Sequence, residues 1–148
     1  MKLTIALKQK NRLAGELARL QQILHRENER RNDNLSKVNP GDVWERIIET
    51  SEKLGVIKAA IAKANVPIYS KIERMGELKS RISFITSLPK REEPEVIFIG
   101  RDQEKLTYTW TSFINAEKAD ALVAKLQEEI DSLQDEIDEF NGSTEIHI

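Results

Sequence analysis

The sequence predicts a mainly α fold: four long amphipathic helices in antiparallel bundle or coiled-coil packing, with one β-hairpin inserted before the last helix. Three observations predict it. Ala, Glu, Lys, Leu and Arg make up 66 of 148 residues, close to the half share typical of long helices and coiled coils. Four segments repeat apolar residues at steps of three and four, which keeps them on one side of a helix. Between the third and the fourth, residues 95–113 change to strand patterning. The chain is read as a single domain, 1–148, long enough to bury a core without crosslinks.

The first helix is expected over residues 2–32. Leu3, Ala6, Lys10, Leu13, Leu17, Leu20 and Leu24 form its seam, and Leu7 and Ala14 widen it. It should end at Asn32-Asp33-Asn34, whose short polar side chains compete for backbone hydrogen bonds. The second helix starts after Asn39-Pro40-Gly41, with Asp42 as N-cap and Glu45 as its reciprocal partner. Val43, Ile47, Leu54, Ile57 and Ile61 form its seam, with Ser51 as a polar interruption. Pro67 disfavours helix at the residue before it, so a break is expected at Asn65-Val66-Pro67. Ser70-Lys71-Ile72-Glu73 then opens a third helix to about Leu88, with Ile72, Met75, Leu78, Ile82 and Ile85 facing inward.

After the charged linker Pro89–Pro94, Val96-Ile97-Phe98-Ile99 is apolar on both faces. In the second strand Leu106, Tyr108 and Trp110 point one way, Thr107, Thr109 and Thr111 the other. Residues 101–104 supply the hairpin loop. Asn115 is the expected N-cap of the last helix, 116–140. Its seam, Ala119, Val123, Leu126, Ile130, Leu133, Ile137 and Phe140, is the strongest periodic signal in the chain. Asn141-Gly142 should cap it, leaving Ser143–Ile148 as an extended or disordered tail. The pairing expected between helices is the first against the last, which carry the two longest seams.

The order of parts is familiar. Met1-Lys2-Leu3 with Ala6-Leu7, Ile61-Ala62-Lys63-Ala64-Asn65, and Asn141 with Ser143-Thr144-Glu145-Ile146 resemble a family of small bacterial helical proteins. Some of its members carry the name septicolysin. The resemblance implies a helical fold and self-association. It implies no activity and supplies no functional residues, and nothing here matches the long, β-rich, Cys-containing cholesterol-dependent cytolysins.

Composition excludes several function classes. There is no Cys, which removes disulfides, thiolate nucleophiles and Cys-ligated zinc. The opening residues are interrupted by Lys8, Lys10 and Arg12 and show no secretion signal. No run approaches the roughly 18 apolar residues of a membrane span, so a cytoplasmic location is expected. His25 and His147 are the two histidines; an isolated His25/Glu29 pair falls short of the three or four ligands a metal normally needs. The acids of the last helix lie opposite its seam and read as a solvated face. No phosphate loop, dinucleotide fingerprint or nucleophile elbow is present. Neither catalytic residues, cofactor nor metal are expected.

Two surface features carry the functional expectations. Ile97, Ile99, Tyr108 and Trp110 are expected at an interface, because an isolated hairpin is marginal in water and aromatic residues anchor interfaces. Trp44 is read as a similar anchor. Lys8, Arg12, Arg19, Arg26 and Arg30, spaced by 4, 7, 7 and 4, form one stripe opposite the leucine seam. Residues 1–31 hold eight basic and three acidic side chains; residues 115–140 hold two basic and nine acidic. The leading expectation is a non-enzymatic homo-oligomeric scaffold or interaction protein, a dimer or higher. The alternative is a nucleic-acid-binding accessory factor using the basic stripe. The overall charge of -2 and the lack of stacking aromatics in the stripe argue against it.

Overall fold

The computed structural model describes residues 1–148. It is mainly helical, with a two-stranded antiparallel hairpin ahead of the last helix. Helix α1 is Leu3–Glu27 and α2 is Pro40–Asn65. Helix α3 is Tyr69–Ser87, strands β1 and β2 are Pro94–Ile99 and Glu104–Thr109, and α4 is Ala116–Ser143.

Four separate helices were expected, but the chain forms three helical segments, because α2 and α3 are not separated by a loop. A single 3-10 turn, Val66–Ile68, joins them. Val66 stays helical at φ -49°, ψ -44° although Pro67 follows it. Ile61 and Ile68, seven residues apart on one face, are both buried, and a break would pull one of them out. Proline is tolerated in a first turn, where its missing N–H has no intrahelical acceptor to lose. Ser70 therefore lies inside helix and caps nothing.

Contacts gather into two compact units: Met1–Tyr69 with Asp138–Ile148, and Ser70–Ile137. In the first unit the α1 seam is filled by α2, not by the last helix as expected. Leu20 packs with Val43 and Ile47. Leu3 and Ala6 pack with Leu54, Ile57 and Ile61. Sequence numbers rise on one helix as they fall on the other, so the pair is antiparallel. A connection as short as residues 28–39 makes the next helix the entropically cheapest partner. Thr50, not Ser51, takes the polar position on the α2 seam: Thr50 is buried and Ser51 exposed.

Three helix ends differ from expectation. Helix α1 stops at Glu27, short of residue 32, and the Arg30 guanidinium folds back onto the Glu27 carboxylate and the Val38 carbonyl. The N-cap of α2 is Asn39, whose side chain accepts from Gly41 N–H at 2.9 Å; Asp42 sits in the first turn, where its charge suits the helix dipole. Helix α4 runs through Gly142 to Ser143 without a left-handed cap.

The tail beyond α4 is ordered by the start of the chain. The Leu3 N–H donates to the Thr144 carbonyl at 2.9 Å, and the Ile146 N–H donates to the Met1 carbonyl at 2.8 Å. The Met1 ammonium donates to the Ile146 carbonyl at 2.8 Å. Lys2 and Glu145 pair as a β-bridge and as an ion pair at 3.2 Å. This pairing delivers Ile146 into the core with Leu3, Ala6, Leu54, Ile57 and Ile61, and Phe140 packs against the same cluster.

In the second unit, Lys71 pairs with Glu136 at 2.9 Å and Arg74 with Glu129 at 3.1 Å. Their order makes α3 and α4 antiparallel. Leu78 and Ile85 on α3, and Ala119 and Ile130 on α4, are the buried seam positions, at the spacing the sequence announces. Asn115 caps α4 as expected, its Oδ1 accepting from the Lys118 N–H at 2.8 Å.

Candidate interaction surface

The hairpin is the site the sequence singles out. Its register pairs Glu95 with Tyr108, Val96 with Thr107, Ile97 with Leu106 and Phe98 with Lys105. The turn lies one residue earlier than expected, over residues 100–103. Gly100 at φ 74° and Gln103 at φ 49° take left-handed conformations there, which glycine adopts freely and glutamine does not.

Because side chains alternate along a strand, this register sorts them into two faces. Ile97, Ile99, Leu106 and Tyr108 share one face, and Trp110 follows on from β2 on the same side. Val96 and Phe98 share the other with Thr107 and Thr109. The threonine face is therefore mixed rather than uniformly polar. Neither face is covered: exposures run from 39% for Ile97 to 58% for Phe98. A row of unpaired backbone groups also remains along the outer edge of each strand.

The base of the hairpin is held by a charged cluster. The Trp110 indole N–H donates to the Glu95 carboxylate at 2.7 Å. Arg91 reaches the same carboxylate oxygen at 3.4 Å and lies 4.9 Å from the centre of the Trp110 ring. The Ser112 hydroxyl donates to the Arg91 carbonyl at 2.8 Å. These contacts leave one ring face stacked and the rest of Trp110 open. Beside it an open depression of about 690 Å³ runs between Leu88, Pro89, Trp110 and Phe113. Phe113 is 87% exposed, with the Lys118 ammonium 3.9 Å from its ring centre. Sequence reading missed Phe113 and Phe98 as surface residues; the strand-face alternation carries the signal for Phe98.

Lys8, Arg12, Arg19 and Arg26 are exposed on α1, as is Arg30 just beyond its end. Arg26 and Arg30 are committed to Glu27, a buried residue that continues the α1 seam one step past Leu24. Burial pushes the Glu27 carboxyl up, but hydrogen bonds from Ser36 and Arg30 and the Arg30 charge outweigh it, holding it below the usual carboxylate range. Trp44 is exposed beside a depression that also takes in His25 and Glu29. No helix is long and apolar enough to cross a membrane. Comparison with protein families, characterised proteins and solved structures finds no match.

Proposed function

We infer that this chain is a non-enzymatic scaffold or interaction protein that assembles with further copies of itself through the hairpin, in the cytoplasm. The observation that supports this reading is the hairpin's exposure on both faces. Ile97, Ile99, Leu106, Tyr108 and Trp110 form an exposed apolar patch on the face they share with Glu95 and Glu104, and Val96 and Phe98 expose further apolar surface on the reverse. Two strands without a third element are marginal alone, and open apolar edges invite pairing. A second copy presents the same strands and the same greasy face, which suits a symmetric contact.

Light scattering at micromolar concentration tests it. The wild type should run at a multiple of 17.0 kDa, and Ile97→Lys and Trp110→Ala should shift it toward the monomer while helix content stays the same. A wild type of monomer mass would sink the reading.

A further inference from the structure

We propose a second contact between copies: the outer face of α1 from one copy lies along the outer face of α4 from another, basic stripe on acidic stripe. The proposal rests on the self-association reading for the identity of the partner, and on charge for the surface.

The inner charges of these helices are already spent. Glu16 pairs with Arg46, Glu129 with Arg74 and Glu136 with Lys71. Part of the outer charge is still open, although Arg26 and Arg30 already pair with Glu27. Lys8, Arg12 and Arg19 are exposed and lie within ion-pair distance of no carboxylate, and Asp120, Glu128 and Asp135 are exposed and lie within ion-pair distance of no cation. Each stripe therefore carries uncompensated like charge, which self-repels.

The open parts of the two stripes share a period. Lys8 to Arg19 covers about 17 Å of helix rise, and Asp120 to Asp135 about 23 Å. Arg12 and Arg19 are seven residues apart, as are Glu128 and Asp135, a separation of about 10.5 Å along each axis. Both pairs lie on the side of their helix away from the apolar seam. Two such faces can meet without disturbing either core. A single exposed ion pair contributes little; a row of them sets orientation and encounter rate.

The experiment uses the full chain with two charge-reversed variants, Arg12→Glu/Arg19→Glu and Glu128→Arg/Asp135→Arg. Sedimentation at about 50 mM and about 500 mM salt should show association that weakens at least about tenfold as screening shortens its reach. Each variant alone should lose that salt-sensitive component, and so should the neutral Arg12→Gln/Arg19→Gln. A one-to-one mixture of the two reversed variants should recover it, a result that misfolding of either could not give. A mixture no better than its parts overturns the proposal. So does gel retardation of mixed-sequence DNA or RNA that disappears with Arg12→Glu/Arg19→Glu, which would assign the basic stripe to nucleic acid. Repeating the series on Ile97→Lys separates the two readings. Salt-sensitive association that survives Ile97→Lys supports the stripes and counts against the hairpin. Association lost with Ile97→Lys but indifferent to both charge reversals does the reverse. A wild type that is monomeric at both salts overturns both.

Discussion

Trp110 and Glu95 are joined across the hairpin by an indole N–H to carboxylate hydrogen bond of 2.7 Å. That single bond ties the residue after β2 to the start of β1, and it orients the largest side chain on the exposed face. Trp110→Phe keeps a ring for Arg91 to stack on and removes the donor. Because the site is open to water, it should cost no more than about 1 kcal/mol. Indole emission, read in a Trp44→Phe background, should shift on Glu95→Gln while helix content by circular dichroism is unchanged. An unmoved emission maximum would show that the bond is not formed in solution.

The α1–α2 core predicts a graded response to truncation. Ile57 is almost fully buried between Leu3, Ala6 and Leu54, so Ile57→Ala should cost about 2–5 kcal/mol. Leu20→Ala, in the other cluster, should fall in the same range of about 2–5 kcal/mol. Trp44→Ala, exposed on the same helix pair, should stay within about 1 kcal/mol. Urea unfolding of the three variants checks the order.

Glu27 predicts an acid limb. Its folded pKa lies below the ordinary value of 4.5. The carboxylate therefore contributes stability that is fully present above that ordinary value and is lost as pH falls through the lower, folded one. Thermal melts between neutral pH and about pH 3 should show a steeper acid loss for the wild type than for Glu27→Gln. Parallel curves would remove Glu27 from the account of acid stability.

The hairpin turn predicts opposite signs at two neighbouring positions. Gly100→Ala forces a Cβ into φ 74° and should destabilise the turn by about 1 kcal/mol. Gln103→Gly relieves φ 49° and should be neutral or stabilising by up to about 1 kcal/mol. Exchange of the β1 amides that face β2 should speed up in the first variant and not in the second.

What was legible in the sequence is what burial periodicity writes. The seam positions of α1, α2 and α4 and the strand faces around Leu106 and Tyr108 stand where spacing places them. Spacing does not say which seam meets which: Leu20 would suit a leucine of α4 as well as Val43, and only the short connection at residues 28–39 favours α2. Glu27 continues the three-four rhythm, but a carboxylate is discounted as a core residue unless its partner is seen; Arg30, three residues on, is the only local hint. Pro67 points to a break that the joint burial of Ile61 and Ile68 overrides. Ile146 has no periodic neighbours, so its place in the core depends on a backbone bridge to Lys2 that no local pattern encodes. Of the candidate site, the apolar strands were legible and the Arg91 stacking was not.

The bridge between Lys2 and Glu145 has an engineering corollary. Two positions 143 residues apart are held at β-bridge distance, so a linker of a few residues should close the chain into a ring. New ends could then be opened at Gly100–Gln103, the exposed turn of the hairpin. Such a permutant keeps Ile146 covalently upstream of Leu3, so the strand pairing that seats both in the core becomes a local hairpin instead of the longest-range contact in the molecule. Its folding should quicken accordingly, since the loop entropy of bringing Ile146 back to Leu3 no longer has to be paid.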